Sequence, residues 1–258
     1  MTQPLTDSSD LLIQTLPHLR ALQFTGLEAR VFLQTQLSSD IQQLDPSRPQ
    51  FTTWCKPNGR ALTLGWLFDA GKSLLWFVPA SNAELVAAQL AIYKLRSKVQ
   101  IAHLTAQVTN RGEFQLPDHR SLGLVDASIR LRDAENAWLL ADIIQLWPTL
   151  GGNERFLPQM LGVERLGGLS LKKGCFPGQE VIARVHYKGE VKRMLARYLE
   201  IESMQQSETN LASDNFEPVQ TALDGDQRLN LLAVVKKPAP EFIAIEHSGQ
   251  QIFLRLQT

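Results

Sequence analysis

Hydrophobic and polar positions divide the chain into short periodic runs. RALQFTG, residues 20–26, alternates apolar and polar side chains and stops at a glycine, the pattern of a half-buried strand. GLEARVFLQTQLSSD follows with Leu27, Val31, Leu33 and Leu37 at mostly helical spacing, which predicts a helix. QFTTWCKPNGRALTLGWLF has β-rich runs on both sides of Pro57-Asn58-Gly59, and Asn-Gly predicts a hairpin because both residues tolerate positive φ. SLLWFVP reads as a third strand. NAELVAAQLAIYKLRSK then reads as a helix, with Ser81 as N-cap, Glu84 closing a capping box and a basic end suited to the helix dipole. VQIAHLTAQV is a fourth strand.

That order predicts an α+β unit, an antiparallel or mixed sheet with helices on one face. Further on, RGEFQLPDHRSLGLVDASIRL reads as one or two strands, residues 134–147 as a helix halted by Pro148, and GQEVIARV as the first turns of another helix. From about Lys192 the pattern turns to β. KRMLARYLEIES, RLNLLAVVKK, EFIAIEHS and QQIFLRLQT read as strands, separated by SMQQSETNLASDNFEP and KPAP. The predicted organisation is an α+β region over 1–191 and a C-terminal β-domain over 192–258.

Composition narrows the classes of function. The 258 residues suffice for two packed units, and 44% hydrophobic with 20% charged residues is ordinary globular composition. Lys plus Arg and Asp plus Glu both count 26, so no global field draws the chain to nucleic acid or an anionic membrane. Any anionic ligand must be held by a local patch. No basic, apolar leader opens the sequence and no run approaches the roughly 18–20 apolar residues of a membrane span, so the expected location is the cytoplasm. Cys55 and Cys175 are then expected to be reduced thiols.

Metal chemistry finds no spacing to support it. There is no C-x-x-C and no H-x-x-x-H, and His18, His103, His119, His186 and His247 are scattered. No P-loop, dinucleotide fingerprint or serine nucleophile elbow occurs. What remains is Cys175, in KKGCFPGQE. Lys172 and Lys173 precede it and a helix start follows, and both surroundings favour thiolate over thiol. The same residues also describe a tight loop in which Gly174 and Gly178 serve the turn, Phe176 plugs the core and the cysteine is a small buried residue. Spacing leaves both readings standing, while Cys55, inside a predicted strand, reads as structural. YKLRSKV groups Lys94, Arg96 and Lys98 as an anion patch or as dipole complementarity. Arg184 and Lys188 offer carboxylate or phosphate contacts, and Trp138 and Trp147 offer either core packing or a flat surface for a heterocycle.

Lys173, Gly174, Cys175, Phe176, Gly178, Gln179, Glu180, Arg184, Lys188 and Gly189 fill in order a signature that resembles the YgfZ family, relatives of the glycine-cleavage T-protein, an aminomethyltransferase. TGLEARVFLQTQLSSDI, CKPNGR, YKLRSKVQI and ERFLPQMLGVERLGGLSLKKGCF resemble further landmarks, so the likeness covers roughly residues 20–195. It implies an α+β, T-protein-like folate-binding fold, two intertwined subdomains with a C-terminal β-barrel domain. It also implies tetrahydrofolate or a one-carbon derivative as ligand, with Trp138 standing where the family has a folate-contacting tryptophan, and Gln179, Glu180, Arg184 and Lys188 as further binding positions. Cys175 would be the working thiol, with Lys173 and Arg184 favouring its thiolate. Implied partners are folate and iron–sulfur client enzymes, including tRNA-modifying ones. From the neutral charge balance and the lack of a long apolar run, no direct nucleic-acid contact and no membrane are expected, and a monomeric state is expected as well.

Two departures from that pattern stand out. Leu19 occupies the family's other tryptophan position, and Leu62 and Thr63 stand where the T-protein carries an acidic pair. Without a carboxylate there, aminomethyl transfer from a protein-bound donor is not expected. Three functional readings follow. One is a folate-dependent maintenance factor for iron–sulfur enzymes, another a tetrahydrofolate-dependent one-carbon transferase, and the third a docking module whose thiol loop is structural.

Overall fold

The computed structural model describes residues 12–151, 154–202, 216–247 and 250–257. Its first sheet joins β1 (Leu19–Thr25), β2 (Gln50–Cys55), β3 (Ala61–Asp69), β4 (Ser73–Pro79) and β5 (Gln100–His103) in the order β2-β3-β4-β1-β5, with every pairing antiparallel. Alternation sends Leu22, Phe24, Leu74, Trp76 and Val78 to one face. There they meet Phe32 and Leu33 of α1 (Ala29–Gln36) and Val86, Ala87 and Leu90 of α2 (Ala83–Tyr93). Ala21, Leu75 and Phe77 point the other way, toward β6 (Gln107–Gln115), β7 (Ser121–Val125) and α3 (Glu135–Ile144). SLLWFVP is apolar throughout because both faces of its strand are covered.

The C-terminal part is a curled half-barrel sheet. Its strands are β8 (Arg193–Ile201), β9 (Phe216–Leu223), β10 (Leu229–Lys236), β11 (Phe242–His247) and β12 (Gln250–Gln257), in the order β11-β12-β8-β10-β9. Leu229, Leu231, Ala233 and Val235 build its own core with Tyr198 and Ile243. The alternate residues Leu232 and Val234 turn instead to a cluster shared with Ile143 of α3, Leu64 of β3 and Phe51 of β2. This shared cluster seats α3 between the two sheets.

Several local readings change. The α2 N-cap is Asn82, not Ser81, and its side chain does not bond the helix amides. Instead Asn82 is buried, donating to the Leu62 carbonyl at 2.9 Å and accepting from the Thr63 hydroxyl at 3.3 Å. Ser81 lies against Gly151, its hydroxyl 2.1 Å from where a Cβ there would stand. The single strand read in VQIAHLTAQV is two, β5 in the first sheet and the start of β6 in a separate hairpin. A strand was hidden in the polar stretch before RLNLL. β9 contains Pro218 and pairs only with β10, and an edge is where a strand tolerates proline. Of the apolar residues read as one helical face, Leu33 and Leu37 are buried but Leu27 and Val31 are exposed, because α1 turns Ala29, Phe32, Leu33 and Gln36 inward.

The signature segment is anchored by two glycines. Gly178 caps α4 (Gln179–Lys188) with φ +79, and Gly59, in the β2–β3 turn, has the same φ. A Cβ on Gly178 would come within 2.5 Å of the Lys56 carbonyl and 2.6 Å of the Gly59 Cα. Only glycine permits both the left-handed backbone and this approach. Gly178→Ala should therefore cost at least about 1–2 kcal/mol for the backbone alone, and more for the overlap. Urea denaturation should show a lower midpoint, and a wild-type midpoint would mean that the loop does not sit on the hairpin as described.

Candidate functional site

A narrow slot lies on the face of the first sheet away from α1 and α2. Leu19, Phe51, Trp66, Phe77, Leu122, Trp138 and Trp147 wall it, and Asp142 and Thr149 give it a polar end. The Trp66 and Trp147 rings meet edge to face with centroids 4.9 Å apart. The open volume is about 30 Å³, room for only about two water molecules. Trp138 also lines a wider, open cleft of about 530 Å³ beside Gln14, Asn110, Arg111, His119, Arg120 and Ser121.

Asp142 and Arg120 organise the slot. Helix α3 turns Asp142 inward with Trp138, one turn before it, so carboxylate and indole face the same cavity. Arg120, at the entrance to β7, donates to Asp142 Oδ1 at 2.6 Å, to Asp118 Oδ2 at 2.6 Å and to the Trp138 carbonyl at 3.2 Å. Its guanidinium carbon lies 4.2 Å from the Trp138 ring centre and 5.2 Å from that of Trp147. Burial pushes the Asp142 carboxyl up to about 6, against the opposing pull of Arg120. Among the described residues Oδ2 receives only a long 3.4 Å contact from the Thr149 hydroxyl, which leaves acceptor capacity on that oxygen.

The signature residues lie elsewhere. Cys175 is exposed and lines neither slot nor cleft. Phe176 and Ile182 instead pack against Cys55, whose complete burial pushes its thiol up to about 12. Lys173 donates its ammonium to the Leu37 carbonyl and, at 2.8 Å, to that of Ser39, which ties the signature loop to the end of α1. Burial lowers the Lys173 ammonium to about 8. Arg184, Lys188 and Glu180 are exposed on α4 and Gln179 is half-buried; none of the four lines the slot. The structure thus brings Trp138 together with Leu19 and Trp147, and sets the Cys175 loop and α4 apart from them.

Asp142, Arg120 and Trp66 were not singled out by sequence reading. The signal available for Asp142 was its four-residue spacing from Trp138 in AWLLADIIQ, which puts both on one helical face. Arg120 offered none, since its partners come together only through the fold. Leu62 and Thr63 are fully buried and do not line the slot. A register shift opposite Trp54 and Cys55 leaves Leu62 as the extra residue of a bulge, packed in the core beneath α1 and α2. Among the described residues, no group of three or more His, Cys, Asp or Glu side chains could hold a metal ion, and no helix is long and apolar enough to cross a membrane.

No protein-family model matches the chain. It is 27% identical to tRNA-modifying protein YgfZ of Cronobacter sakazakii over 216 residues, 66% of this chain and 66% of that protein. It is also 27% identical to tRNA-modifying protein YgfZ of Escherichia coli O157:H7 over 230 residues, 72% of this chain and 71% of that one. In fold it matches the crystal structure of glycine cleavage system aminomethyltransferase T from Bartonella henselae, with a TM-score of 0.63 at 13% identity, over 95% of this chain and 84% of that one. The chain therefore has the T-protein fold, and in sequence it resembles the YgfZ proteins over about seven tenths of its length.

Proposed function

We propose that the protein binds tetrahydrofolate, or a one-carbon derivative of it, at the Trp138 slot and supports the upkeep of iron–sulfur enzymes, tRNA-modifying ones among them. The observation that carries the folate reading is Asp142, a carboxylate with an underused oxygen at the end of an aromatic slot. A reduced pterin is a flat heterocycle whose amino group and ring N–H form a donor pair, and a carboxylate accepts such a pair while indoles cover the ring faces. The donor set fits the ligand, although the slot's present volume is smaller than the ring. Trp138, which lines both slot and cleft, is the residue whose movement would admit it. When bound, the folate supplies a one-carbon carrier. Asp142 would orient it, Arg120 would keep Asp142 ionised and aimed, and the tryptophans would exclude water.

The client role is supported by the relatives' name and by the exposure of Cys175, which leaves its thiol open to a partner protein. Arg184 and Lys188, exposed on α4, would meet that partner or an anionic group it carries. Leu62 and Thr63 carry no carboxylate and are buried away from the slot, which argues against the aminomethyl-transfer reading.

Asp142 gives a pH signature. Its folded pKa is raised to about 6 from 3.8, so between those values the native state holds the proton and the unfolded state does not. Its contribution to stability is therefore present below about pH 4 and lost as pH rises through 6. Ligand acceptance runs the opposite way, because it needs the ionised form. Folate affinity, followed by tryptophan fluorescence, should fall between pH 7.5 and 5, and Asp142→Asn should weaken it roughly ten- to hundredfold and flatten the pH profile. Equal affinity in the variant would remove the slot from the reading.

The two cysteines separate by reactivity. A thiol reagent should label Cys175 alone in the native protein and both cysteines in denaturant, as counted by mass spectrometry. Cys175→Ser should keep wild-type folate affinity yet fail to restore tRNA thiolation to a strain lacking its own YgfZ protein; full restoration would make the thiol loop structural.

A further inference from the structure

Five large apolar side chains are more than 60% exposed among the described residues, and four of them lie on or next to α1 and α2, the helices that cover one face of the first sheet. These are Leu27 at 94%, Leu95 at 88%, Ile92 at 66% and Val31 at 65%. Single exposed leucines need no explanation, but a cluster does. The fold assembles this one deliberately. Gly26 approaches the Lys98 carbonyl so closely that a Cβ would lie 2.2 Å from it, and the Lys98 amide donates to Glu28 Oε2 at 2.6 Å. The segment entering α1 and the segment leaving α2 are thereby pinned together, with Leu27 on one and Leu95 on the other. Val31 lies on α1 and Ile92 on α2, the helices that these two segments enter and leave, and both are exposed.

Cations border the cluster. Lys94, Arg96 and Lys98 interleave with Leu95 on the same segment, and Arg96 and Lys98 are exposed. No ion pair to any of the three is found among the described residues. This accounts for the basic run in YKLRSKV better than a binding patch at the slot, since none of its residues lines slot or cleft.

We propose that this surface docks a partner protein through an acidic, leucine-bearing segment, whose apolar side chains cover Leu27, Val31, Ile92 and Leu95 while its carboxylates reach Arg96 and Lys98. Charge complementarity selects that occupant. Glu28 sits between Leu27 and the basic run with its carboxylate fixed on the Lys98 amide. An anionic lipid surface would press its phosphates onto that carboxylate, whereas a folded segment can place its own charges past it. The surface is separate from the Trp138 slot, so its failure would leave the folate reading untouched.

The test uses a fluorescein-labelled amphipathic peptide with leucines on one helical face and glutamates on the other. Amide shifts in the full-length protein should map to residues 26–31 and 92–98, and affinity should fall steeply with added salt. Leu27→Glu combined with Leu95→Glu should weaken binding at least tenfold without lowering the thermal midpoint or folate affinity. Arg96→Glu combined with Lys98→Glu, which leaves the apolar cluster intact, should do the same. Shifts mapping elsewhere, or unchanged affinity in both double variants, would overturn the proposal. So would tighter co-sedimentation with phosphatidylglycerol vesicles than with phosphatidylcholine, abolished by the leucine changes, or a concentration-dependent dimer abolished by them.

Discussion

One half-buried cation sets the geometry of the candidate site. Taking a carboxylate such as Asp142 out of water costs several kcal/mol unless a partner compensates it, and Arg120 is that partner. The guanidinium spends its donors in three directions, on Asp142, on Asp118 beside it in the β6–β7 turn and on the Trp138 carbonyl in α3. It also lies over two tryptophan rings. A lysine could not do this, because the planar fork reaches two carboxylates and stacks at once. The hairpin and α3 are thus registered to each other by a charge, and the walls of the slot follow from that registration.

The same constraint explains why α3 matters to the whole molecule. On one side it presents Trp138 to the core formed with Ala21, Leu75 and Phe77 of the first sheet. On another it gives Ile143 to the cluster shared with Leu232 and Val234 of the C-terminal sheet. A shift of α3 large enough to break the Arg120 contacts would disturb both clusters, and close-packed interiors resist such shifts. Movement that admits a ligand is therefore more easily found in the Trp138 side chain, at the border of slot and cleft, than in the helix that carries it.

Local chemistry was legible in the sequence where one element decided the outcome. The Asn58-Gly59 hairpin, the doubly covered SLLWFVP strand, α3 before Pro148 and α4 after Gly178 follow from turn residues and periodicity within a few positions. Features that depend on distant partners were not legible. Asn82 is an N-cap position whose amide is spent on Leu62 and Thr63 of β3, which no capping rule anticipates. β9 is polar enough to read as linker, and only its pairing to β10 makes it a strand. The site shows the same division: Trp138 and Leu19 could be named from the sequence, but Arg120 becomes meaningful only when β7 and α3 meet.

The placement of the signature follows from how its residues are spent. Lys173 reads from sequence as an electrostatic partner for Cys175, yet two of its three donors are taken by main-chain carbonyls at the end of α1. Phe176 and Ile182 are spent on Cys55, and Gly178 on the hairpin. These contacts fix the loop on both sides of Cys175 and leave its thiol at the surface. A merely structural cysteine gains its stability from burial, which Cys55 has and Cys175 lacks. Holding an exposed thiol on so constrained a loop costs backbone freedom without any packing return from the sulfur, and that asymmetry is what a presented, partner-facing group would require.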